Sequence, residues 1–251
     1  MESLLQVLKR KSMLEEQFPI LHSGFDDLDS SPAILRRRTV SLLGSRPGMG
    51  RSTLAAQIAA NVAEAGGRVG WFSTVRTNSE VVDKILRIKP ELLYPQSIVL
   101  EDRIGDVREL RLAIMKSGKQ FDLVVIDDLQ GMYHYSRRGQ VVFNSGRMCS
   151  AIREVARTQN TAFMILSRLK RSPEYRRNHI PLPTDLPHWS NIKGAIDSVF
   201  LLYREGYYVS EDSRFQIGAL LAGPNPERYA ELPLIWDKSN SLFLPYNEMF
   251  V

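Results

Sequence analysis

Residues 39–65 read TVSLLGSRPGMGRSTLAAQIAANVAEA, which is an apolar run, a glycine-rich loop and a helical pattern in direct succession. Phosphate-binding loops occur in this strand–loop–helix order, because the N–H groups of the loop and of the helix N-terminus surround phosphate oxygens. The pattern G-x-x-x-x-G-K-[ST] is matched at Gly50 and Ser52, but its first position is Ser45 and its lysine position is Arg51. The predicted nucleotide-binding loop consists of Ser45, Arg46, Pro47, Gly48, Met49, Gly50, Arg51, Ser52 and Thr53.

The arginine at position 51 changes what this loop can do. In the standard pattern the lysine contacts the β and γ phosphates, and the hydroxyl that follows it binds magnesium. A guanidinium is planar and bulkier than an ammonium, so Arg51 cannot take the same place between the phosphate oxygens. We expect ATP or ADP to bind with Mg²⁺ at Ser52, while hydrolysis is impaired.

Strand-like runs alternate with helical patterns along the rest of the chain, which is typical of βαβ units and a largely parallel sheet. The predicted strands are 39–44, 68–73, 97–100, 121–127, 161–167, 199–203 and 215–221. The predicted helices are 52–65, one that follows a capping box at 77–80, and 106–117. The strand at 121–127 ends at Asp127, which we expect to hold the magnesium shell together with Ser52. Segment 172–194, with four prolines, is predicted to form long loops.

Length and composition favour a globular α/β chain of one domain, or at most two small ones. The chain has 251 residues, of which 43% are apolar and 24% charged, and a net charge of +5 that favours anionic partners. A single cysteine excludes an intramolecular disulfide, and no apolar run of membrane-spanning length occurs, so we expect a cytoplasmic protein without membrane contact. The four histidines, His22, His134, His179 and His188, lack metal-ligand spacing, and no zinc is expected.

The N-terminus predicts a separate short element. Residues 2–17 place Leu4, Leu5, Leu8 and Leu14 on a partly helical period among charged residues, as in an amphipathic helix. Its apolar stripe has to pack either on this domain or on a neighbouring subunit, and the sequence leaves both open. We therefore predict a linker helix over 1–18 and a single domain over 19–251.

An ordered set of motifs resembles the C-terminal motor domain of DnaB-type replicative DNA helicases of superfamily 4. The motifs are Ser23-Gly-Phe-Asp-Asp-Leu-Asp29, Arg46-Pro-Gly-Met-Gly50, Ile126-Asp-Asp-Leu-Gln130, Leu166-Ser-Arg-Leu-Lys-Arg171, Asp185-Leu186, Gly194-Ala-Ile-Asp197 and Tyr203-Arg-Glu-Gly-Tyr-Tyr208. Each is weak alone, and their order makes the resemblance specific. It implies a RecA-like P-loop NTPase fold with helices flanking a mostly parallel central sheet. It also implies a ring of six subunits with nucleotide between neighbours and single-stranded DNA through the centre.

Three departures from the family pattern point to a degenerate ATPase. The glutamate that polarises the attacking water in the family is Val75 here, and valine cannot accept a proton. The family's glutamine after the fifth strand is Arg168, and its basic finger falls at Gly223-Pro-Asn225, where no basic residue stands. The resemblance therefore names no confident catalytic residue.

Basic residues follow two of the predicted strands, in loops that face the central channel of RecA-like rings. Cations and aromatic rings suit contact with the phosphates and bases of single strands. The alternative is an ordinary solvated loop surface. The candidate DNA-binding residues are Arg137, Arg138, Arg168, Lys170, Arg171, Arg176 and Arg177.

The sequence thus favours a DnaB-like protein of DNA replication or of a mobile element, with weak or no ATPase activity. It would act by binding DNA, nucleotide or subunits of a helicase ring. One alternative is an active ATP-dependent 5′–3′ helicase with unusual catalytic residues. Another is a regulator without DNA contact that docks on a true helicase.

Overall fold

A computed structural model describes residues 3–6, 20–31, 33–90, 97–102, 104–118, 120–135, 141–208, 214–223 and 229–246. The strands are β1 (Val40–Ser45), β2 (Val69–Ser73), β3 (Ile98–Glu101), β4 (Leu123–Asp127), β5 (His134–Tyr135), β6 (Val141–Val142), β7 (Ala162–Arg168), β8 (Ser198–Arg204), β9 (Phe215–Gly223), β10 (Ala230–Asp237) and β11 (Leu242–Pro245). The α-helices are α1 (Asp26–Asp29), α2 (Arg51–Glu64), α3 (Asn78–Ile88), α4 (Val107–Lys116), α5 (Ser145–Thr158) and α6 (Trp189–Ile192).

One large sheet forms the centre of the molecule, with strand order β11-β10-β9-β8-β1-β7-β4-β2-β3. The strands from β3 to β8 in this order pair in parallel. Strands β9, β10 and β11 extend the sheet antiparallel. Strands β5 and β6 form a separate antiparallel pair. The predicted α/β class with a mostly parallel central sheet is confirmed.

Strands β1, β2 and β4 are buried on both faces, which explains why they read as continuous apolar runs. Successive residues of β1 point to opposite faces: Leu43 joins a cluster with α2 and α3, and Leu42 joins a cluster with α4 and α5. Full burial of a leucine side chain contributes about 1.5–3 kcal/mol. The two apolar clusters therefore hold helices on both sides of the sheet.

The capping box predicted at the start of α3 is confirmed, since Thr77 Oγ1 accepts from the N–H of Glu80 and the Glu80 carboxylate accepts from the N–H of Thr77. The prediction that 172–194 forms only loops is wrong. The segment contains α6 and three 3₁₀ turns, Ser172–Tyr175, Pro183–Asp185 and Lys193–Ala195. Proline fits the first turn of a helix, where its missing N–H would have no intrahelical partner, so these prolines begin turns as well as interrupting structure.

Most of the predicted N-terminal helix lies outside the described residues. Within residues 3–6, Leu4 and Leu5 have exposed side chains, so the partner of the apolar stripe stays a prediction. No helix within the described ranges combines the length and apolarity that crossing a membrane requires.

Candidate nucleotide-binding site

The candidate nucleotide-binding residues converge at the carboxyl ends of the parallel strands. Strand β1 leads into the glycine-rich loop, β4 ends at Asp127, and β7 ends at Arg168, which pairs in register with Ser45. In open α/β sheets ligands bind in the crevice at this edge. Here the crevice is a cleft of about 580 Å³ between the loop, β4 and α3. The predicted loop residues other than Met49 line it, and Met49 is buried in the core instead.

Two glycines give the loop its shape. Gly48 and Gly50 have φ values of +83° and +98°, in the left-handed region that glycine adopts without steric cost. A Cβ on Gly48 would lie 2.8 Å from the Tyr207 ring, and one on Gly50 would lie 2.8 Å from the Phe243 ring. The loop therefore needs glycine at both positions, for backbone conformation and for space.

Side chains from the second half of the sheet hold the loop in place. Arg204 on β8 is 5% exposed and donates through Nη2 to the Gly48 carbonyl at 2.6 Å. Its guanidinium lies 4.4 Å from the centre of the Trp236 ring, and burial lowers its pKa to about 10. Behind the loop, the Gln57 amide of α2 exchanges two hydrogen bonds with the backbone of Phe243 on β11, at 2.7 and 2.8 Å.

Arg51, at the position of the usual lysine, points to a carboxylate of its own chain. Its Nη2 lies 3.5 Å from Oδ2 of Asp128, the same oxygen that Arg168 Nε approaches to 2.9 Å. The other Asp128 oxygen accepts from the N–H of Gly131 at 3.1 Å. Burial lowers the pKa of Arg51, although Asp127 and Asp128 oppose this effect. Arg168, predicted from sequence to contact DNA, thus lines the same cleft as the glycine-rich loop.

Asp127 has the environment expected of a magnesium-shell carboxylate. It is 1% exposed, and neither of its side-chain oxygens accepts a well-formed hydrogen bond. Burial raises its pKa, while Arg51, Arg76 and the Ser52 hydroxyl act in the opposite direction. Mg²⁺ typically takes one or two protein oxygens and completes its shell with waters and phosphates. The Ser52 hydroxyl and the unsatisfied Asp127 oxygens fit that requirement.

The position expected to carry the catalytic glutamate offers no acid–base group. Val75 lines the cleft with 50% of its surface exposed. Glu80 does not line the cleft, because its carboxylate accepts from the N–H of Thr77 at 2.8 Å in the capping box. Among the described residues, the carboxylates that line the cleft are Asp127 and Asp128, and both are buried.

Sequence reasoning missed three cations of the cleft. Arg76 lies just before α3, and Lys84 and Arg87 are one turn apart on α3, so the helical spacing was the available signal. Lys84 Nζ lies 3.3 Å from Thr53 Oγ1. Within the described part of the chain, six cationic side chains line the cleft: Arg46, Arg51, Arg76, Lys84, Arg87 and Arg168.

The candidate DNA-binding residues are placed in different environments. Arg176 is paired with Asp185, and Lys170 Nζ lies 3.3 Å from the carbonyl of Thr184. Arg171 and Arg177 are exposed on either side of Tyr175, which is 81% exposed. Arg137 and Arg138 lie outside the described residues. Arg171 and Arg177 therefore lie at the surface after β7, whereas Arg168 lines the cleft.

The model of the DnaB-like helicase C terminal domain matches residues 21–96 and 88–232 of this chain. A probable plasmid replicative DNA helicase of Chlamydia muridarum (strain MoPn / Nigg) is 24% identical over 237 residues, which cover 80% of this chain and 52% of that protein. The replicative DNA helicase DnaB of Geobacillus stearothermophilus is 26% identical over 219 residues, which cover 74% and 47%. The chain spans about half the length of these curated relatives.

Two solved structures share the fold at 20% sequence identity. One, described as an ATPase domain, superposes with a TM-score of 0.79 and covers 96% of each chain. The other, a DnaB-like replicative helicase described with its interactions with primase, superposes with a TM-score of 0.81 over 98% of this chain and 67% of its own. Because the family model accounts for most of the chain, this protein belongs to the DnaB-like helicase C-terminal domain family.

Proposed function

We propose that this chain is a DnaB-like protein of DNA replication or of a mobile element that binds ATP or ADP with Mg²⁺ and hydrolyses ATP weakly or not at all. The observation that carries this proposal is a cleft rich in cations in which the carboxylates of the described residues are the buried Asp127 and Asp128. Asp128 is paired with Arg51 and Arg168, and we assign Asp127, whose oxygens accept no well-formed hydrogen bond, to the metal. The cleft favours anion binding over proton abstraction.

Water activation requires a base within hydrogen-bond reach of the attacking water, directly or through one other water. Val75 supplies none, and the Glu80 carboxylate is engaged at the start of α3. A basic finger from a neighbouring subunit can contribute about 10³–10⁵ in rate in related phosphoryl-transfer sites. The sequence at the corresponding place, Gly223-Pro-Asn225, has no basic residue. Separate losses in water activation and charge stabilisation support slow turnover.

An ATPase assay with and without single-stranded DNA tests the proposal, with ATP binding titrated on the same sample. We expect ATP binding with little phosphate release and little stimulation by DNA. Robust DNA-stimulated turnover would contradict the proposal and favour the alternative, an active ATP-dependent 5′–3′ helicase. Absence of ATP binding would leave a regulator that docks on a true helicase.

We propose further that the exposed cations after β7 contact single-stranded DNA. Arg171 and Arg177 flank an exposed aromatic ring, Tyr175, which could stack on a base. Replacing both arginines with alanine should weaken DNA binding and reduce the salt slope by roughly 0.7 per lost phosphate contact. Thermal unfolding of the same variant provides the control, because both side chains are exposed and the fold should be unaffected. An unchanged slope would mean that these cations are only solvated.

We also propose that self-association depends on the N-terminal segment 2–17 more than on ATP. Each fully buried leucine would contribute about 1.5–3 kcal/mol, more than exposed charge pairs worth about 0–1 kcal/mol. Light scattering should show assembly of the full chain and a monomer for a chain that starts at Phe18. Equal assembly of the two chains would contradict this reading.

A further inference from the structure

Lys84 reaches the phosphate loop from outside it. Its ammonium lies 3.3 Å from the Thr53 hydroxyl, one residue beyond the expected magnesium ligand Ser52. The side chain is half-buried, and its charge interacts with Asp127 at the same end of the cleft. In P-loop NTPases the magnesium ion at this end bridges the β and γ phosphates. Lys84 therefore lines the cleft at the end where the magnesium ligands are expected.

The loop's own cation is engaged elsewhere. Arg51 points to Asp128, where it shares one oxygen with Arg168. To reach between phosphate oxygens it would have to leave Asp128, which is buried. Its planar head would also fit that place less well than an ammonium. The loop position of the usual lysine is therefore occupied by a residue that ties the loop to β4.

The position of Lys84 is fixed by the packing of α3. The N–H of Asn78 in the first turn donates to Asp102 Oδ2 at 2.9 Å, in addition to the capping box. Val81 and Ile85 on the same helix are buried in the cluster shared with α2. Burial, followed by the nearby Arg76 and Arg87, lowers the pKa of Lys84. The repulsion among these like charges in a half-buried cleft would be reduced by the binding of an anionic ligand.

We propose that Lys84 is the phosphate-binding lysine of this cleft, supplied by α3 in place of the loop lysine, and that it contacts the terminal phosphate of bound ATP. This inference rests on the proposed nucleotide binding. It assigns the role of a compact, rotatable ammonium to a residue 33 positions after Arg51 along the chain. A lysine on a neighbouring helix can donate the same charge-assisted hydrogen bonds to phosphate oxygens, provided that its ammonium lies within reach of them.

Titrations of fluorescent ATP and ADP with Mg²⁺ test the proposal on the full chain. For Lys84→Met we expect the Kd of ATP to rise about tenfold or more, which is about 1.4 kcal/mol, and the Kd of ADP to rise less. The matched control is Lys116→Met, the same change at an exposed lysine at the end of α4, which should leave both constants unchanged. Lys84→Gln repeats the test with a polar side chain in case the methionine variant does not fold.

Two outcomes would contradict the role of Lys84 without affecting the proposed nucleotide binding. One is ATP binding by either folded Lys84 variant within twofold of the unmutated chain. The other is an equal loss for ATP and ADP, which would mean that Lys84 only supports the loop through Thr53. Failure of the unmutated chain to bind either nucleotide would overturn the proposed nucleotide binding and this inference with it.

Discussion

Replacing Arg176 with alanine should destabilise the fold, because its guanidinium holds a buried carboxylate. Arg176 Nη1 and Nη2 lie 2.5 and 2.7 Å from the two oxygens of Asp185, whose side chain is 2% exposed. The N–H of Leu182 donates to the same carboxylate at 2.7 Å, and Arg176 also donates to the carbonyl of Ile180. The pair therefore links two parts of the segment between β7 and α6.

The expected loss in the free energy of unfolding depends on how far the Arg176–Asp185 pair is buried. Removing one partner of a buried ion pair costs about 3–5 kcal/mol. The Arg176 side chain is 28% exposed, so solvent screens part of the interaction, and the bond from Leu182 remains. We therefore expect a loss of about 2–3 kcal/mol. In a chain of this length the corresponding fall in Tm is about 4–12 °C.

The effect should depend on pH in a defined direction. Burial raises the pKa of Asp185, but the hydrogen bonds from Arg176, Leu182 and Ser172 and the charge of Arg176 together lower it by more, so its pKa is below the ordinary value. A depressed pKa in the folded state stabilises the fold above the unfolded pKa of about 3.9 and stops doing so as the pH falls through the folded value. The difference between the variant and the unmutated chain should be full at neutral pH and shrink below about pH 4.

The assay is thermal and urea unfolding followed by circular dichroism, with Arg177→Ala as the matched control. Arg177 is the adjacent arginine and is exposed, so its loss should change the free energy of unfolding by less than about 0.5 kcal/mol. The same control should weaken binding to single-stranded DNA. Equal stability of the two variants at pH 7 would refute the argument that Arg176 holds the segment.

Three further changes test the cleft. Gly48→Ala should introduce about 1–2 kcal/mol of backbone strain and a clash with Tyr207, so that ATP affinity measured by titration falls about tenfold. Arg51→Lys alone should not bring phosphate release to family-like rates, because Val75 still provides no base and the basic finger is still absent; family-like turnover would contradict the role assigned to position 75. Asp127→Asn should remove the dependence of ATP affinity on Mg²⁺, measured in Mg²⁺ and in EDTA, and a retained dependence would place the metal elsewhere.

The parallel half of the sheet was predictable because its strands are apolar on both faces, so runs such as 161–167 stand out from their surroundings. Strand β10 is not among the predicted strands; Pro233 lies within it, and proline argues against a central strand. Helix α5 was also missed, although Met148, Ile152 and Val155 follow a helical period that was available in the sequence. The first omission has a physical reason, and the second does not.

In the candidate site, the residues that directly follow strands could be predicted from the sequence, but the contacts between them could not. The loop and Asp127 were assigned because a motif and a chain order identify them. The pairing of Arg51 with Asp128 depends on how two strand ends meet, and the approach of Lys84 depends on how α3 packs on α2. The sequence does not show that Arg176 is paired, because the pairing depends on how the chain turns between Arg176 and Asp185.

The double hydrogen bond between Gln57 and Phe243 bears on biosynthesis. The two residues are 186 positions apart, and the Phe243 ring fills the space beside Gly50. At a synthesis rate of about 5–20 residues per second, β11 follows α2 from the ribosome by roughly 10–40 s. During that interval the phosphate loop lacks this support, so we expect nucleotide to bind and assist folding only after β11 has been synthesised. Ribosome-bound chains arrested before β11 should release a fluorescent ATP analogue that chains extended beyond β11 retain, and retention by the shorter chains would contradict this order of events.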